Sequence, residues 1–113
     1  MKSLRNSVQL IGRLGNEPEL KNLDNGKMLT KFSLATSESY KNSEGERIEE
    51  TQWHSIVAWG KTAEIASKYL KKGSGVAIEG KLIHRSYETA AGERKYITEI
   101  NMNEMVMVGA KRD

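Results

Sequence analysis

A chain of 113 residues, of which 37% are hydrophobic and 29% charged, has room for one small globular domain, so residues 1–113 form a single predicted domain. The formal charge of +3 permits an anionic partner without identifying one, because net charge influences association rather than fold. The absence of cysteine excludes disulfides and thiolate metal sites and fits a reducing compartment.

The N-terminal sequence does not look like a targeting signal. The stretch MKSLRNSVQLIGRLG begins with basic residues, but Gln9, Gly12 and Arg13 interrupt its apolar part and it offers no small-residue cleavage site. No apolar run in the chain is long enough to span a bilayer. We therefore expect a soluble, cytoplasmic protein without a membrane partner.

The first half of the chain contains two segments that alternate apolar and polar residues as strands do. The first predicted strand is SVQLIGRL, in which Gly12 marks a bulge or a sharp bend. The second is KMLTKFSLAT, preceded by a hairpin turn signal, Asp-Asn-Gly, at 24–26. The polar stretch 38–50 follows, and its composition fits either a long flexible loop or an extended hairpin tip.

The second half contributes three more predicted strands and the only helical pattern. The third strand is TQWHSIVAWGK, the helix is Lys61–Leu70, and VAIEGKLIHRSY and YITEINMNEMVMV are the fourth and fifth strands. Five strands with one short helix between the third and fourth are the order of an OB-fold, an all-β Greek-key barrel. Another five-stranded barrel topology would give similar periodicity.

The sequence offers no pattern typical of a catalytic or metal site. His54 and His84 are the only histidines, and each lies inside a predicted strand without a second histidine or carboxylate at metal-ligand spacing. No serine has a nucleophile-elbow setting, and no glycine-rich stretch matches a phosphate loop. We predict neither enzymatic activity nor a bound metal or cofactor.

Both tryptophans of the chain share one face of the third strand, where Trp53 and Trp59 alternate with Ile56 and Ala58 on the other face. Such a face is either part of the core or an exposed platform, and periodicity alone slightly favours the core. Against the core reading, other apolar residues suffice to build one. These are Val8, Leu10, Phe32, Leu34, Val76, Ile78, Leu82 and Ile100.

Aromatic and basic residues interleave along the chain. The neighbours are Tyr40 with Lys41, Trp53 and Trp59 with Lys61, and Tyr87 with Arg85. Aromatic rings with cations between them suit a single-stranded nucleic acid, because every base offers a π-face and every linkage a phosphate. Each cation taken singly is about as consistent with an ordinary solvated surface residue.

The segments ATSESY, TQWHSIVAWGKTAEIASKYLKKGS and IEGKL resemble those of bacterial single-stranded DNA-binding protein (SSB), and the likeness extends over nearly the whole chain. The pattern TxWHxxVxxGKxAExAxxYLxKG is long enough to be specific. The resemblance implies an OB-fold that wraps single-stranded DNA around a homotetramer without strong sequence preference. It further implies roles in DNA replication, recombination and repair, at the nucleoid.

The resemblance also implies which residues bind DNA. The family commonly has tryptophan at the positions of Tyr40 and Tyr87 and phenylalanine at that of Trp59, so aromatic character persists while ring size differs. Ile83 replaces a basic residue often found two positions before Arg85. The implied stacking residues are Tyr40, Trp53, Trp59 and Tyr87, and the implied phosphate-binding residues are Lys61, Lys72 and Arg85, with Lys41 beside Tyr40 added to them.

Two further expectations follow from the resemblance. His54 matches a residue near the subunit interface of the family tetramer, although a histidine satisfied within its own domain is equally consistent with the sequence. Family members usually continue into a flexible linker and an acidic tip that recruits replication and repair proteins, whereas this sequence ends at VGAKRD. It is either a piece of a longer protein or a naturally short paralogue, and tail-mediated partners are not expected.

Three other functions remain open from the residues. An RNA-binding OB domain with chaperone activity would use the same stacking, since stacking does not require deoxyribose. A protein-assembly module would use the apolar face of the third strand as an interface. An oligosaccharide-binding OB domain is the least favoured, because such sites use acidic and amide groups more than interleaved lysine and arginine.

Overall fold

The computed structural model of the chain describes residues 4–108. The expectations about the first three residues and about the final GAKRD concern segments outside the described residues. The described residues form six strands and one helix. They are β1 (Val8–Leu14), β2 (Glu19–Asn22), β3 (Met28–Lys41), β4 (Arg47–Trp59), α1 (Gly60–Tyr69), β5 (Gly75–Glu88) and β6 (Arg94–Met107).

The strands form one sheet in the order β1-β5-β6-β4-β3-β2, and an additional pairing of β1 with β3 closes five of them into a barrel. β4 and β6 run parallel, and the other pairs are antiparallel. With α1 between β4 and β5, this is the predicted OB-fold. Closure leaves few free strand edges, since only β2 stands outside the barrel.

The short strand β2 is absent from the five strands that the sequence predicted. It pairs with the start of β3 through the turn at 24–26, so that Glu19 faces Lys31 and Asn22 faces Met28. All four of its residues are exposed. Because neither of its faces is buried, it carries no alternation of apolar and polar residues that could have revealed it.

The barrel interior is built from most of the apolar residues expected there. Phe32, Leu34, Val76, Ile78 and Ile100 are buried, while Val8 and Leu10 are partly buried against them. The expectation for Leu82 was wrong, since this side chain is exposed. The cause is that β1 accompanies β5 only as far as Gly80, so Leu82 lies past the edge that β1 covers.

The stretch 38–50 is an extended hairpin and not a loop. β3 and β4 remain in register out to Lys41 and Arg47, and β5 and β6 do the same out to Glu88 and Arg94. Each hairpin closes in a short turn with a glycine at positive φ, 81° at Gly45 and 87° at Gly92. These backbone angles fit the three-residue type of hairpin connection, in which glycine takes the left-handed position.

Of the two roles predicted for Gly12, a bulge or a sharp bend, the bulge is wrong. The β1 ladder with β5 is unbroken through Gly12, and a Cβ at this position would collide with the carbonyl oxygen of Ala35. Glycine is therefore needed where β1 approaches β3 to close the barrel. The register shift of the sheet lies instead between Glu79 and Gly80 of β5.

Helix α1 closes one end of the barrel. It begins and ends one residue earlier than the predicted helix Lys61–Leu70. Ala63 and Ala66 are buried, as is Leu70 just after the helix. Ile65 and Tyr69, which share the apolar spacing, are exposed. The small alanine side chains make the buried contact and let the helix lie close against the strands. In the described part of the chain, no helix has both the length and the apolar character needed to cross a membrane.

Candidate nucleic-acid interface

The two tryptophans lie on the outer face of β4. Trp53 is 62% exposed and Trp59 is 43% exposed, whereas Ile56 and Ala58 on the opposite face are fully buried. Only Val57, between the two rings on the outer face, is also buried. Periodicity alone slightly favoured a core position for the tryptophans. In the structure, β4 instead contributes its other face to the core.

Neighbouring strands extend this outer face to both sides of β4. Across β3, each residue of the face has a partner in register, and across β6 Val57 pairs with Asn101. We call this surface the aromatic face. Its central pairs are Ala35 with Trp53, Ser33 with Ser55, Lys31 with Val57, and Leu29 with Trp59.

The ring of Trp53 is held against the segment that follows β1. A Cβ at Gly15 would stand 2.5 Å from Cζ3 of Trp53 and 2.8 Å from Oγ of Ser33, so ring and backbone are in close contact. Oδ1 of Asn16 accepts hydrogen bonds from the backbone N and from Oγ of Ser33, at 2.8 and 2.9 Å. These contacts restrict the position of an indole that is otherwise open to solvent.

A shallow groove connects the surroundings of the two indoles. One part, with a volume of about 240 Å³, lies beside Trp59, and a second part of about 320 Å³ reaches Asn16 and Ser33 near Trp53. The two parts adjoin, because both are lined by Lys31, Val57 and Glu99. A chain-like ligand lying in this groove would contact Trp59 and the cations Lys31 and Arg85, and would pass Asn16 and Ser33 near Trp53.

The hairpin of β5 and β6 continues the aromatic face on the side of Trp59. Ile83 and Arg85 line the groove with Trp59, and Tyr87, two residues further along β5, lies on the same side of its strand. Tyr87 is exposed and pairs in register with Lys95. The sequence analysis did not single out Lys95, since its position beside Tyr87 depends on the register of two strands.

A buried carboxylate lies at the centre of the groove. Glu99 of β6 is 6% exposed, and its Oε2 accepts a hydrogen bond from Nη2 of Arg85 at 2.9 Å. Nζ of Lys31 lies 3.8 Å from the same oxygen. The sequence analysis missed Lys31 and Glu99, although inward Phe32 and Ile100 next to them in sequence already place both on the outer face.

Tyr40 and Lys41 lie at the tip of the hairpin of β3 and β4, away from the other predicted residues. Tyr40 is exposed, and in strand alternation it follows Phe32 and Leu34, so its side chain lies on the face opposite to Trp53. Lys41 shares the alternation of the aromatic face but stands at the far end of the hairpin. The tip is acidic, with Glu38, Glu44, Glu46, Glu49 and Glu50 against Lys41 and Arg47.

The two remaining predicted cations flank the aromatic face. Lys61 is exposed in the first turn of α1, two residues after Trp59. Lys72 lies in the turn after α1, where its backbone N donates to Oε2 of Glu17 at 2.8 Å and the next residue, Gly73, donates to the carbonyl oxygen of Leu14. Lys72 therefore lies beside the segment against which Trp53 packs.

His54 has a partner within its own chain. It is half-buried on the core side of β4, and its Nε2 lies 2.9 Å from Oγ1 of Thr36. Nδ1 of His84 likewise lies 3.0 Å from Oγ1 of Thr98. Within residues 4–108, no group of three or more histidine, aspartate or glutamate residues is arranged to hold a metal ion.

A closed five-stranded OB-fold barrel with exposed indoles and cations on one face is typical of proteins that bind single-stranded nucleic acids. The chain belongs to the single-strand binding protein family, whose model matches residues 5–108. It is 52% identical over 107 residues to single-stranded DNA-binding protein 1 of Chlorobaculum tepidum, covering 94% of this chain and 66% of that protein.

It is also 44% identical over 108 residues to the single-stranded DNA-binding protein of Neisseria meningitidis, covering 96% of this chain and 62% of the relative. The chain thus spans less than two thirds of the length of the curated relatives it matches.

Two solved structures are similar to this fold. A Plasmodium falciparum SSB in complex with single-stranded DNA has a TM-score of 0.84 and 36% identity, covering 96% of this chain and 98% of that one. A deletion mutant of the single-stranded DNA-binding protein from Thermus aquaticus has a TM-score of 0.81 and 24% identity, covering 94% and 51%. The second likeness concerns the fold alone.

Proposed function

We propose that this chain binds single-stranded DNA without strong sequence preference and keeps it unpaired and protected. The observation that carries the proposal is the exposure of Trp53 and Trp59 on the outer face of β4, where a groove that contains cations runs from Trp59 to Asn16 and Ser33 near Trp53. The named relatives, and the similar SSB solved with single-stranded DNA, support it.

Base stacking on the aromatic face is the proposed source of selectivity for single strands. Six residues of strand place Trp53 and Trp59 roughly 20 Å apart, so each ring can stack a different base of one extended strand. Each stacked base contributes on the order of 1–3 kcal/mol and does so with little regard to base identity. A duplex hides the faces of its bases and cannot use the rings in this way.

Tyr87 and Tyr40 have different places in this proposal. Tyr87 continues the aromatic face along β5, so a strand leaving Trp59 past Arg85 reaches it without changing sides. Tyr40 lies on the opposite face of its hairpin from Trp53, and a strand reaches it only by passing round the hairpin edge. We propose that both tyrosines stack bases, with Tyr40 contacted by the longer path.

Phosphate neutralisation is the proposed source of most of the affinity. The proposed phosphate-binding cations are Lys31 and Arg85, which line the groove, Lys61 and Lys72, which flank the aromatic face, and Lys41 at the hairpin tip. Each phosphate that they neutralise releases counterions, which contributes about −0.7 to the slope of log K against log salt on a single strand. We place the protein in replication, recombination and repair of DNA, in the nucleoid-containing cytoplasm.

We further propose that the chain assembles as a homotetramer. An apolar strip lies on the outer side of β1, β5 and β6, where Ile11, Ala77 and Val106 stand next to one another in register. Ile11 is 69% exposed and Val106 is 65% exposed, which is the condition of residues that a second copy could cover. We also propose that His54, which is hydrogen-bonded to Thr36, lies close to such an interface.

Sedimentation analysis tests the assembly. We expect the wild-type mass to be that of four chains and Ile11→Glu to lower it, because a charge would be placed in the apolar strip. A wild-type chain that sediments as a monomer at micromolar concentration would refute the proposal.

Tryptophan fluorescence during titration with oligo-dT tests the proposed function. We expect strong quenching by the single DNA strand, weaker binding at high salt, and little response to a duplex of equal length. Trp53→Phe and Trp59→Phe, measured separately, assign the quenching to each ring. Equal binding of RNA would favour the RNA-chaperone alternative, and no quenching at low salt would favour a protein-assembly module.

A further inference from the structure

We infer that Glu99 is an internal counterion that restrains the binding of DNA by holding Arg85 and Lys31. The inference rests on the proposed function and adds to it a residue that carries the wrong charge for the ligand. A negative side chain at the centre of a phosphate-binding groove lowers the affinity for DNA. Its presence there therefore indicates another role. Its geometry indicates such a role, in competition with phosphate.

The contacts of Glu99 show that it neutralises cations on the groove. Its carboxylate is almost wholly buried, and both Arg85 Nη2 and Lys31 Nζ approach the same oxygen, Oε2, at 2.9 and 3.8 Å. The side chains of Arg85 and Lys31 are themselves about half exposed. The two cations are therefore open to a ligand while the carboxylate that neutralises them lies beneath.

The charge of this part of the groove is consequently lower than its cations suggest. Lys31, Arg85 and Glu99 together carry a net charge of +1, whereas the two cations alone would carry +2. A second carboxylate, that of Glu19, faces Lys31 across β2 and β3 but is exposed. Solvent screens an exposed charge far more than a buried one, so Glu99 is the stronger opponent of a phosphate here.

A phosphate that binds Arg85 must share or replace the hydrogen bond to Glu99. Part of the attraction between Arg85 and DNA is then offset, because the contact that Arg85 makes with Glu99 in the free protein is weakened or lost in the complex. We expect weaker binding and a shallower salt dependence than the number of cations alone would give. The consequence is easier dissociation of the strand when another process requires it, because Arg85 and Lys31 then form their contacts with Glu99 again.

The test is Glu99→Gln, which keeps the shape and removes the charge. Binding of oligo-dT is measured by fluorescence from low to high salt in the wild type, in Glu99→Gln and in Glu64→Gln, which removes the same charge from the exposed side of α1. One additional neutralised phosphate would steepen the log-log slope by about 0.7, or roughly fivefold in affinity over a tenfold change of salt. Glu99→Asp, which keeps the charge, should retain the wild-type slope.

Tighter binding and a steeper slope in Glu99→Gln, with little change in Glu64→Gln, would support the inference. Equal or weaker binding by a Glu99→Gln protein whose thermal unfolding is unchanged would overturn it. If Glu99→Gln does not fold, the carboxyl-carbon NMR signal of Glu99 in the wild-type chain takes its place: it should shift when oligo-dT binds, and an unchanged signal would overturn the inference. A wild-type chain that does not bind oligo-dT would refute the proposed function itself.

Discussion

The indole of Trp53 lies directly over Gly15, so closely that a Cβ on this glycine would stand 2.5 Å from Cζ3 and 2.9 Å from Cη2 of the ring. The backbone of Gly15 is itself fixed by a hydrogen bond from its N to the carbonyl oxygen of Ser33, at 3.0 Å. Neither the ring of Trp53 nor the backbone of Gly15 can therefore move without disturbing the other. The orientation of the ring depends on the absence of a side chain at Gly15.

We predict that Gly15→Ala weakens DNA binding several-fold by displacing the ring of Trp53. The loss should stay within the roughly 1–3 kcal/mol of one stacked base. The measurement is oligo-dT affinity, together with the double variant Gly15→Ala/Trp53→Ala. If the effect acts through the ring, Gly15→Ala should cost almost nothing in the Trp53→Ala background. Full additivity of the two losses would contradict this mechanism.

Removing either indole should weaken binding while leaving the fold intact. We predict that Trp53→Ala and Trp59→Ala each cost about 1–3 kcal/mol of binding free energy, because each ring is proposed to stack one base. Both rings are substantially exposed, and Trp59 at the N-terminus of α1 makes no side-chain capping hydrogen bond. Thermal unfolding should therefore change little.

Tyr69→Ala is the matched control for the two tryptophan variants. Its ring is also exposed, but it lies on α1, with Lys68 Nζ 5.4 Å from the ring centroid. Equal losses of affinity in all three variants would argue against a binding face specific to β4.

The phosphate contacts should differ in strength along the chain. We predict that Lys61→Ala lowers the magnitude of the log-log salt slope by about 0.7, the amount expected for one phosphate on a single strand. Lys41→Ala should have a smaller effect, because five carboxylates in residues 38–50 offset the charge at the hairpin tip. A salt titration of both variants decides this, and a larger effect at Lys41 would show that DNA runs along the acidic hairpin.

The turns of the long hairpins should be sensitive to loss of glycine. Gly45 has φ of 81°, and an L-residue in this left-handed region costs roughly 1–2 kcal/mol. We predict that Gly45→Ala lowers the free energy of unfolding, or of local opening of the hairpin, by about this amount. Denaturant unfolding and amide exchange of residues 38–50 measure it. Ser43→Ala in the same turn is the control, and an equal effect there would contradict the backbone explanation.

Much of the barrel could be predicted from the sequence because its strands have one buried face. The alternation of Phe32 and Leu34, and of Val76 and Ile78, indicated strands whose inward residues the structure buries. β2 could not be found in this way, since it buries no face. The function of Gly12 was also inaccessible, because the approach of Ala35 is a tertiary contact between distant parts of the chain.

The candidate site could be predicted in its composition but not in its arrangement. The sequence already indicated Trp53, Trp59 and Arg85, since aromatic and basic residues interleave near them. It did not indicate that Arg85 is bound by Glu99, because this contact requires the register of β5 against β6. It also placed Tyr40 with the other rings, whereas continuous alternation along β3 puts it on the other side of the hairpin.

The opposed orientations of Tyr40 and Trp53 have a consequence for the length of DNA that the protein can use. In the proposed binding mode, a short oligonucleotide lies across Trp53 and Trp59 and on to Tyr87, all on one side of the sheet. Only a longer one has enough backbone to turn over the rim of the hairpin and add the fourth ring. The affinity for single-stranded DNA should therefore rise with nucleotide number in two separate steps. The length at which the second step occurs is the length needed to pass round the hairpin and reach Tyr40.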